Sequence, residues 1–335
     1  MTKGGQAPQS LSQLDLWLAT SDRLASHISP LCSVEILRPD DWRDHIRDSA
    51  ALLLVETNEA WEAAETELDD LLIACERADV PALLWITASP LAPFWRKRCA
   101  QFKRVFTVDF KHLPALEASG ATAPVFMWPA TDLKPGPQMP GQGTRADTVL
   151  WLGGWSEKWP APWRERLAAV LRGAGKRGLR IHQIASLEGL PPDLDPFVDS
   201  QSSSQDSLQL LRSAKIVIGA DARYGEPHLA PQVVFDAAAA EAIVLTPHKF
   251  RALRHFAVGW SMDDPWVTLV PTVDDANSTV EAIDLLSRDS VLCEEVVAHL
   301  TRVVANNHTY AHRLATFASA AGYRVIPDAQ SPAPA

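Results

Sequence analysis

The chain has 335 residues with 41 acidic against 31 basic side chains, a formal charge of −10 with histidine neutral. Hydrophobic residues at 47% and charged residues at 21% suit a globular protein of about two domains of ~100–200 residues, whose cores need neither disulfide nor metal. The acidic balance argues against a nucleic-acid binder, no run approaches the ~20 apolar residues of a membrane span, and the opening MTKGGQAPQSLSQ lacks the apolar run of a signal peptide.

Strands are predicted at 14–20, 33–39, 51–57, 81–87, 104–109 and 124–130. The strongest runs, ALLLV and ALLWI, are apolar on successive residues, the pattern of strands covered on both faces in a parallel sheet. Between them, residues 58–79 predict a helix with Asn58 at its N-cap and Trp61, Leu68, Leu71, Leu72 and Cys75 on one face. Strand–helix alternation of this kind builds βαβ units with right-handed crossovers. Residues 132–147 are rich in Pro, Gly and polar side chains and read as a linker. The alternation then restarts: strand 148–155, helix 162–177, strand 179–185, helix 205–214, strand 215–221, helix 232–242, strand 243–247, helix 249–257 and strand 266–271, closing with helices over 273–288 and 290–320. The expected fold class is therefore α/β with two successive parallel-sheet domains.

Cys32, Cys75, Cys99 and Cys293 form no CxxC pair, so neither a zinc site nor a disulfide framework is indicated and a reducing, cytoplasmic setting is expected. Twelve tryptophans against three tyrosines leave two uses open, exposed stacking platforms and buried packing.

Open parallel sheets bind ligands outside the carboxyl ends of their strands. In LGGWSEKWPAPWRER (152–166), Gly153 and Gly154 leave an apolar strand ahead of a helix. Glycine lets the backbone approach a phosphate, and free N–H groups at the next helix favour an anion, with Lys158, Arg164 and Arg166 adding charge. A tight turn alone would ask for the same glycines. In 219–245, Asp236 is expected in the first turn of a small-residue helix, with Glu226 and His228 in the preceding loop. Its carboxylate would accept hydrogen bonds from two ribose hydroxyls, at about 1.5–3 kcal/mol each, or satisfy the helix N-terminus. Earlier in the chain, Glu56, Asn58, Glu59, Thr87, Ser89 and Asp109 fall at strand ends. Glu56, then Asp109, are the candidate catalytic carboxylates, with His27 a further possible base; capping a helix is the other role open to Glu56.

The segments FTVD (106–109), LGGW (152–155), PQVVFDAAAAEAIVLTP (231–247) and above all NNHTYAHRL (306–314) resemble the spore-maturation-type (CgeB-like) group-1 glycosyltransferases. The resemblance implies a GT-B fold, two Rossmann-like domains facing across a cleft, with 1–131 as the acceptor domain, 148–300 as the nucleotide-sugar donor domain, 301–322 as a helix packing back toward the first domain, and 323–335 as a flexible tail. It places Gly153 and Gly154 against the donor diphosphate and Asp236 on the ribose, with Trp155, Arg166, Glu226, His228 and Gln232 as further donor-binding candidates. Three positions depart from the family pattern: Asp236 stands where Glu is usual, Glu241 where Gly is usual, and His228 where the related two-glutamate pattern has Glu. The implied activity is metal-independent transfer from a nucleoside-diphosphate sugar, as co-substrate rather than cofactor, to an acceptor hydroxyl. The alternatives are a degenerate GT-B protein that binds a nucleotide sugar or a partner without transfer, and a sugar-nucleotide epimerase.

Three other motifs invite chemical readings. His308 and His312 have the spacing of a zinc pair on a predicted helix, but Thr309 stands where a metalloprotease needs Glu. Asp193-Leu194-Asp195 is a D-x-D in a polar, proline-flanked loop, and RKRCAQFKR (96–104) is a basic cluster, either a solvated helix face or a docking patch.

Overall fold

The runs ALLLV and ALLWI form two adjacent central strands of a six-stranded, all-parallel sheet. The computed structural model describes residues 9–46, 50–87, 89–132, 146–183, 186–199, 207–220, 232–247 and 272–326. The chain divides into two units, one running to Trp128 and resuming at Tyr310, the other spanning Pro129–Thr309.

The first unit opens with a two-residue strand, β1 (Gln9–Ser10), followed by β2 (Asp15–Ala19), α1 (Asp22–Ile28), β3 (Ser33–Ile36), α2 (Trp42–His45), β4 (Leu52–Glu56), α3 (Glu59–Ala63), α4 (Glu65–Arg77), β5 (Ala82–Ile86), α5 (Pro93–Arg98), β6 (Arg104–Thr107), α6 (His112–Ala118) and β7 (Val125–Phe126). Its sheet runs β3-β2-β4-β5-β6-β7. Leu52 to Val55 and Ala82 to Ile86 are buried on successive residues, as strands covered on both faces must be. Asn58 caps α3 as expected, its side-chain oxygen accepting from Trp61 N at 3.1 Å. The single helix predicted over 58–79 is instead two, broken at Ala64 (φ −109°, ψ 54°), although Trp61, Leu68, Leu71, Leu72 and Cys75 are all buried. The run at 124–130 yields only two strand residues, because Pro124 and Pro129 lack the N–H that a ladder requires.

The second unit comprises β8 (Ala146–Gly153), α7 (Ala161–Gly175), β9 (Leu179–Gln183), α8 (Ser207–Ser213), β10 (Ala214–Ile218), α9 (Gln232–Ala239), β11 (Ile243–Leu245), α10 (Ala276–Arg288) and α11 (Ser290–Asn307). Its four described strands are parallel in the order β11-β10-β8-β9. The predicted helix at 249–257, the strand at 266–271 and linker residues 133–145 lie outside the described residues.

The helix predicted over 290–320 breaks at His308 (φ −130°) and Thr309. Thr309 pairs with Thr131 as an isolated parallel bridge, a long-range partner that helical periodicity cannot reveal. Beyond the break, α12 (Tyr310–Ala321) returns to the first unit, where Phe317 packs on Trp85 and Phe106. A final strand, β12 (Val325–Ile326), pairs in parallel with β1.

The α9 helix ends in a Schellman turn, with Ala242 N bonded to Ala237 O and Glu241 N to Ala238 O. This puts Glu241 at φ +59°, the left-handed region that favours glycine. Glu241→Gly should therefore stabilise the protein by about 1 kcal/mol, read as a raised urea midpoint; an unchanged or lowered midpoint would count against strain at this turn.

Candidate functional site

Each sheet has a point where successive connections leave in opposite directions along the strand order, the usual ligand position in open α/β sheets. In the second unit it lies between β8 and β10. Gly153 ends β8, and Gly219 and Ala220 directly follow β10. The Trp151 indole ties the two strand ends together, its Nε1 donating to Ala220 O at 3.0 Å. A Cβ on Gly153 would lie 2.3 Å from that ring, and one on Gly219 would lie 2.6 Å from Val244. Packing thus requires glycine at both positions, whatever the turns bind. Gly154 and Trp155 are also buried, and Trp155 N donates to Ser186 O at 2.6 Å. The Trp155 ring belongs to the unit's hydrophobic core, beside Trp151 and Trp163. Eight of the tryptophans are buried, which makes packing their main use here.

Asp236 sits in the second turn of α9 rather than the first, since the helix begins at Gln232. Gln232 Nε2 donates to Asp236 Oδ1 at 2.9 Å and to Ala130 O at 2.6 Å, so two donor-binding candidates are brought together and the carboxylate is held by its neighbour. Arg166, on α7, is half-exposed and 3.9 Å from Asp274. Glu226 and His228 lie outside the described residues.

In the first unit the corresponding point lies between β2 and β4, and Glu56 occupies it as the last residue of β4. Its Oε2 accepts from Ser21 N at 3.0 Å and Ser21 Oγ at 2.6 Å, while Oε1 accepts from Thr87 Oγ1 at 3.2 Å. The half-buried carboxylate therefore ties the start of α1 to the ends of β4 and β5; the helix it serves is α1, not the one that follows it. In the last turn of α1, His27 stacks on Tyr310 with ring centroids 4.5 Å apart.

Asp109 is only 2% exposed. Its Oδ1 accepts from Lys111 N at 2.8 Å, and its Oδ2 accepts from Ser89 Oγ at 2.9 Å and lies 3.5 Å from His112 Nε2. These contacts enclose the carboxylate of Asp109, one of the two candidate catalytic carboxylates, at the end of β6. Burial lowers the His112 pKa against the pull of Asp109, and lowers that of His182 against Asp199. Between the folded pKa and the ~6.5 of a free histidine, the unfolded chain binds more protons; this stability is present above ~6.5 and is lost as the pH falls through the folded pKa. The unfolding free energy from urea titration should accordingly drop from pH 7 to pH 5, by no more than about 1.4 kcal/mol per pH unit for each histidine, with the midpoint falling in step, and His112→Asn should flatten the drop. A midpoint independent of pH in both proteins would rule out this coupling.

The motif NNHTYAHRL is accounted for by packing. His308 lies edge-on to Phe235 at 5.3 Å, Thr309 bridges Thr131, and Tyr310 stacks on His27. Buried Arg313 donates from Nε to Trp128 O at 2.7 Å; burial lowers its pKa to about 10, which leaves it cationic at neutral pH. His308 and His312 do not share a helix, because the chain breaks between α11 and α12. Asp193 is bonded by both oxygens to Arg172, at 2.6 and 3.0 Å. Among the described residues no group of three or more His, Cys, Asp or Glu is arranged to hold a metal ion. Within the basic cluster, Arg98 is buried against Asp69 and Glu65, Lys103 bonds Ala321 O and Arg104 bonds Ala123 O, so most of its charge serves the fold rather than a docking patch. No helix among the described residues is long and apolar enough to cross a membrane.

No family model and no curated protein matches the sequence. Solved structures do match. A glycosyltransferase from Rickettsia africae aligns with a TM-score of 0.51 at 10% identity, over 92% of this chain and 97% of its own. T4 phage BGT, solved with UDP and Mn2+, aligns with a TM-score of 0.51 at 9% identity, over 92% and 99%. A variant of S. aureus TarM, solved with fondaparinux, alpha-GlcNAc-glycerol and UDP, aligns with a TM-score of 0.50 at 9% identity, over 80% of this chain and 55% of its own. At such identities the likeness defines the fold: the chain has the two parallel-sheet α/β units of GT-B proteins.

Proposed function

We propose that this protein is a GT-B glycosyltransferase of the spore-maturation (CgeB-like) type, moving a sugar from a nucleoside-diphosphate sugar to an acceptor hydroxyl. The observation that carries the reading is the GT-B likeness over nearly the whole chain, combined with a glycine turn after β8 and a neutral-amide-held carboxylate on α9 in the same unit. In this reading the backbone at Gly153 and Gly154 lies against the diphosphate, Asp236 accepts the ribose hydroxyls, and Gln232 fixes the carboxylate's rotamer. Trp155 supports the turn from the core, while Arg166, Glu226 and His228 complete the donor candidates. Charge grows on the leaving diphosphate in the transition state, so fixed amide donors in a dry site stabilise it more than the ground state. Glu56 is the candidate base of the first unit, a carboxylate at a strand end that accepts from the Ser21 and Thr87 hydroxyls. The donor probe of choice is a UDP-sugar, since two of the fold neighbours were solved with UDP. A metal-independent reaction and a reducing, cytoplasmic setting belong to the same proposal, the latter supported by four free, buried cysteines.

Calorimetric titration with UDP-, GDP- and dTDP-sugars, with and without EDTA, tests it. Saturable binding of at least one below millimolar, insensitive to EDTA, is the expected result. Failure of all three to bind would overturn the donor reading, and loss of binding with EDTA would overturn its metal independence.

A further inference from the structure

The amino-terminal edge of the second unit's sheet, the end opposite the glycine turn, holds a cavity of about 170 Å³. Strands β10 and β8 pair Ala214 with Ala146 but Ile216 with Val149, so β8 advances three residues while β10 advances two. Bulges are rare between parallel strands, and next to binding sites they serve to re-aim a side chain. This one falls beside Thr148 and Lys215, both of which line the cavity. Arg177 and Ser287 complete its polar wall. The Arg177 guanidinium is fixed, donating from Nε and Nη2 to Asp284 at 2.5 and 2.8 Å and from Nη1 to Lys176 O at 3.0 Å. Among the described residues these bonds use three of its five N–H groups. Among the lining residues, the two cations Arg177 and Lys215 face the single carboxylate Asp284, in a protein whose overall charge is −10. Ile216 and Ile283 supply an apolar floor.

We propose that this cavity binds a small phosphate, either the free ion or the phosphate group of a small metabolite, at a site separate from the carboxyl edge of the same sheet. Its volume is several times the ~30 Å³ share of one water and below the ~300 Å³ at which drug-sized sites begin, which suits a compact oxyanion. A fixed guanidinium, an ammonium and two hydroxyls supply charged and neutral donors to such a group, and Arg is the side chain best matched to its geometry. The site stands about 16 Å along β8 from Gly153, at ~3.3 Å per residue, so it does not depend on the donor reading.

The full chain, labelled at its isoleucine methyls and titrated with inorganic phosphate at constant ionic strength, reports on the cavity through Ile216 and Ile283. Saturable shifts at these two methyls are expected, with apparent affinity lowered ~10-fold or more by Lys215→Gln and by a smaller factor by Ser287→Ala. A parallel titration with glycerol 3-phosphate separates the sources: tighter binding than phosphate identifies an organic phosphate, and equal or weaker binding identifies the free ion. Shifts that do not saturate, that occur only elsewhere in the protein, or that persist unchanged in both variants would overturn the proposal. Should Lys215→Gln fail to fold, Ser287→Ala decides alone. Absence of UDP-sugar binding in a protein whose cavity still takes up phosphate would refute the glycosyltransferase reading without touching this one.

Discussion

Asp236→Ala should lower kcat/KM for the preferred UDP-sugar by about 10²- to 10⁴-fold. The estimate is the loss of two charge-assisted hydrogen bonds to ribose, at about 1.5–3 kcal/mol each. Because Asp236 is held by Gln232 at 2.9 Å, Gln232→Ala should act in the same direction but more weakly, by about tenfold, since it frees the rotamer without removing the acceptor. Donor affinity by calorimetry and initial rates would separate the two effects. Full activity in Asp236→Ala, with its melting temperature unchanged, would remove this residue from the donor site.

The largest stability effect is expected at Trp151, which is 0% exposed and spans the strand ends at the centre of the second unit's sheet. Trp151→Ala should cost about 3–5 kcal/mol, measured by urea unfolding. Trp151→Phe should cost less, chiefly through an Ala220 carbonyl left without its indole donor. Gly153→Ala forces a methyl to within 2.3 Å of the indole and should cost about 1–3 kcal/mol by overpacking. The two changes share one space, so Trp151→Phe with Gly153→Ala should cost less than their sum. Additivity to within about 0.5 kcal/mol would show that the indole does not impose glycine at this turn.

What could be read in the sequence was whatever local periodicity decides. The doubly covered strands, the Asn58 cap and the apolar face from Trp61 to Cys75 follow from residue order alone. The two-unit α/β architecture did too, and Gly153 ends a strand and Asp236 lies on a helix, as the pattern of residues had it. Features that depend on distant partners did not. The break at His308 needs Thr131, the pairing of β12 needs Gln9, and the burial of Asp109 needs Ser89 and His112. The glycine of the turn was visible as a motif, but its packing cause, an indole two residues back, was not. The amide of Gln232 as the support of the Asp236 carboxylate went unread, although a separation of four on a helix is the signal that would have found it. The bulge beside Lys215 left no trace in the sequence, since register is a property of two strands at once.

The pairing of β1 with β12, and the packing of α12 on Trp85 and Phe106, make the first unit discontinuous in the chain. During synthesis its six-stranded sheet emerges early yet lacks one covering helix until more than 180 further residues have left the ribosome, counting from Trp128 to Tyr310. The intervening unit can fold in the meantime as a self-contained insertion, while the nascent sheet keeps an apolar face open to chaperones. Completion of the first unit therefore waits on synthesis of the second, and a ribosome stalled before Tyr310 would hold a folded insertion together with an unfinished sheet.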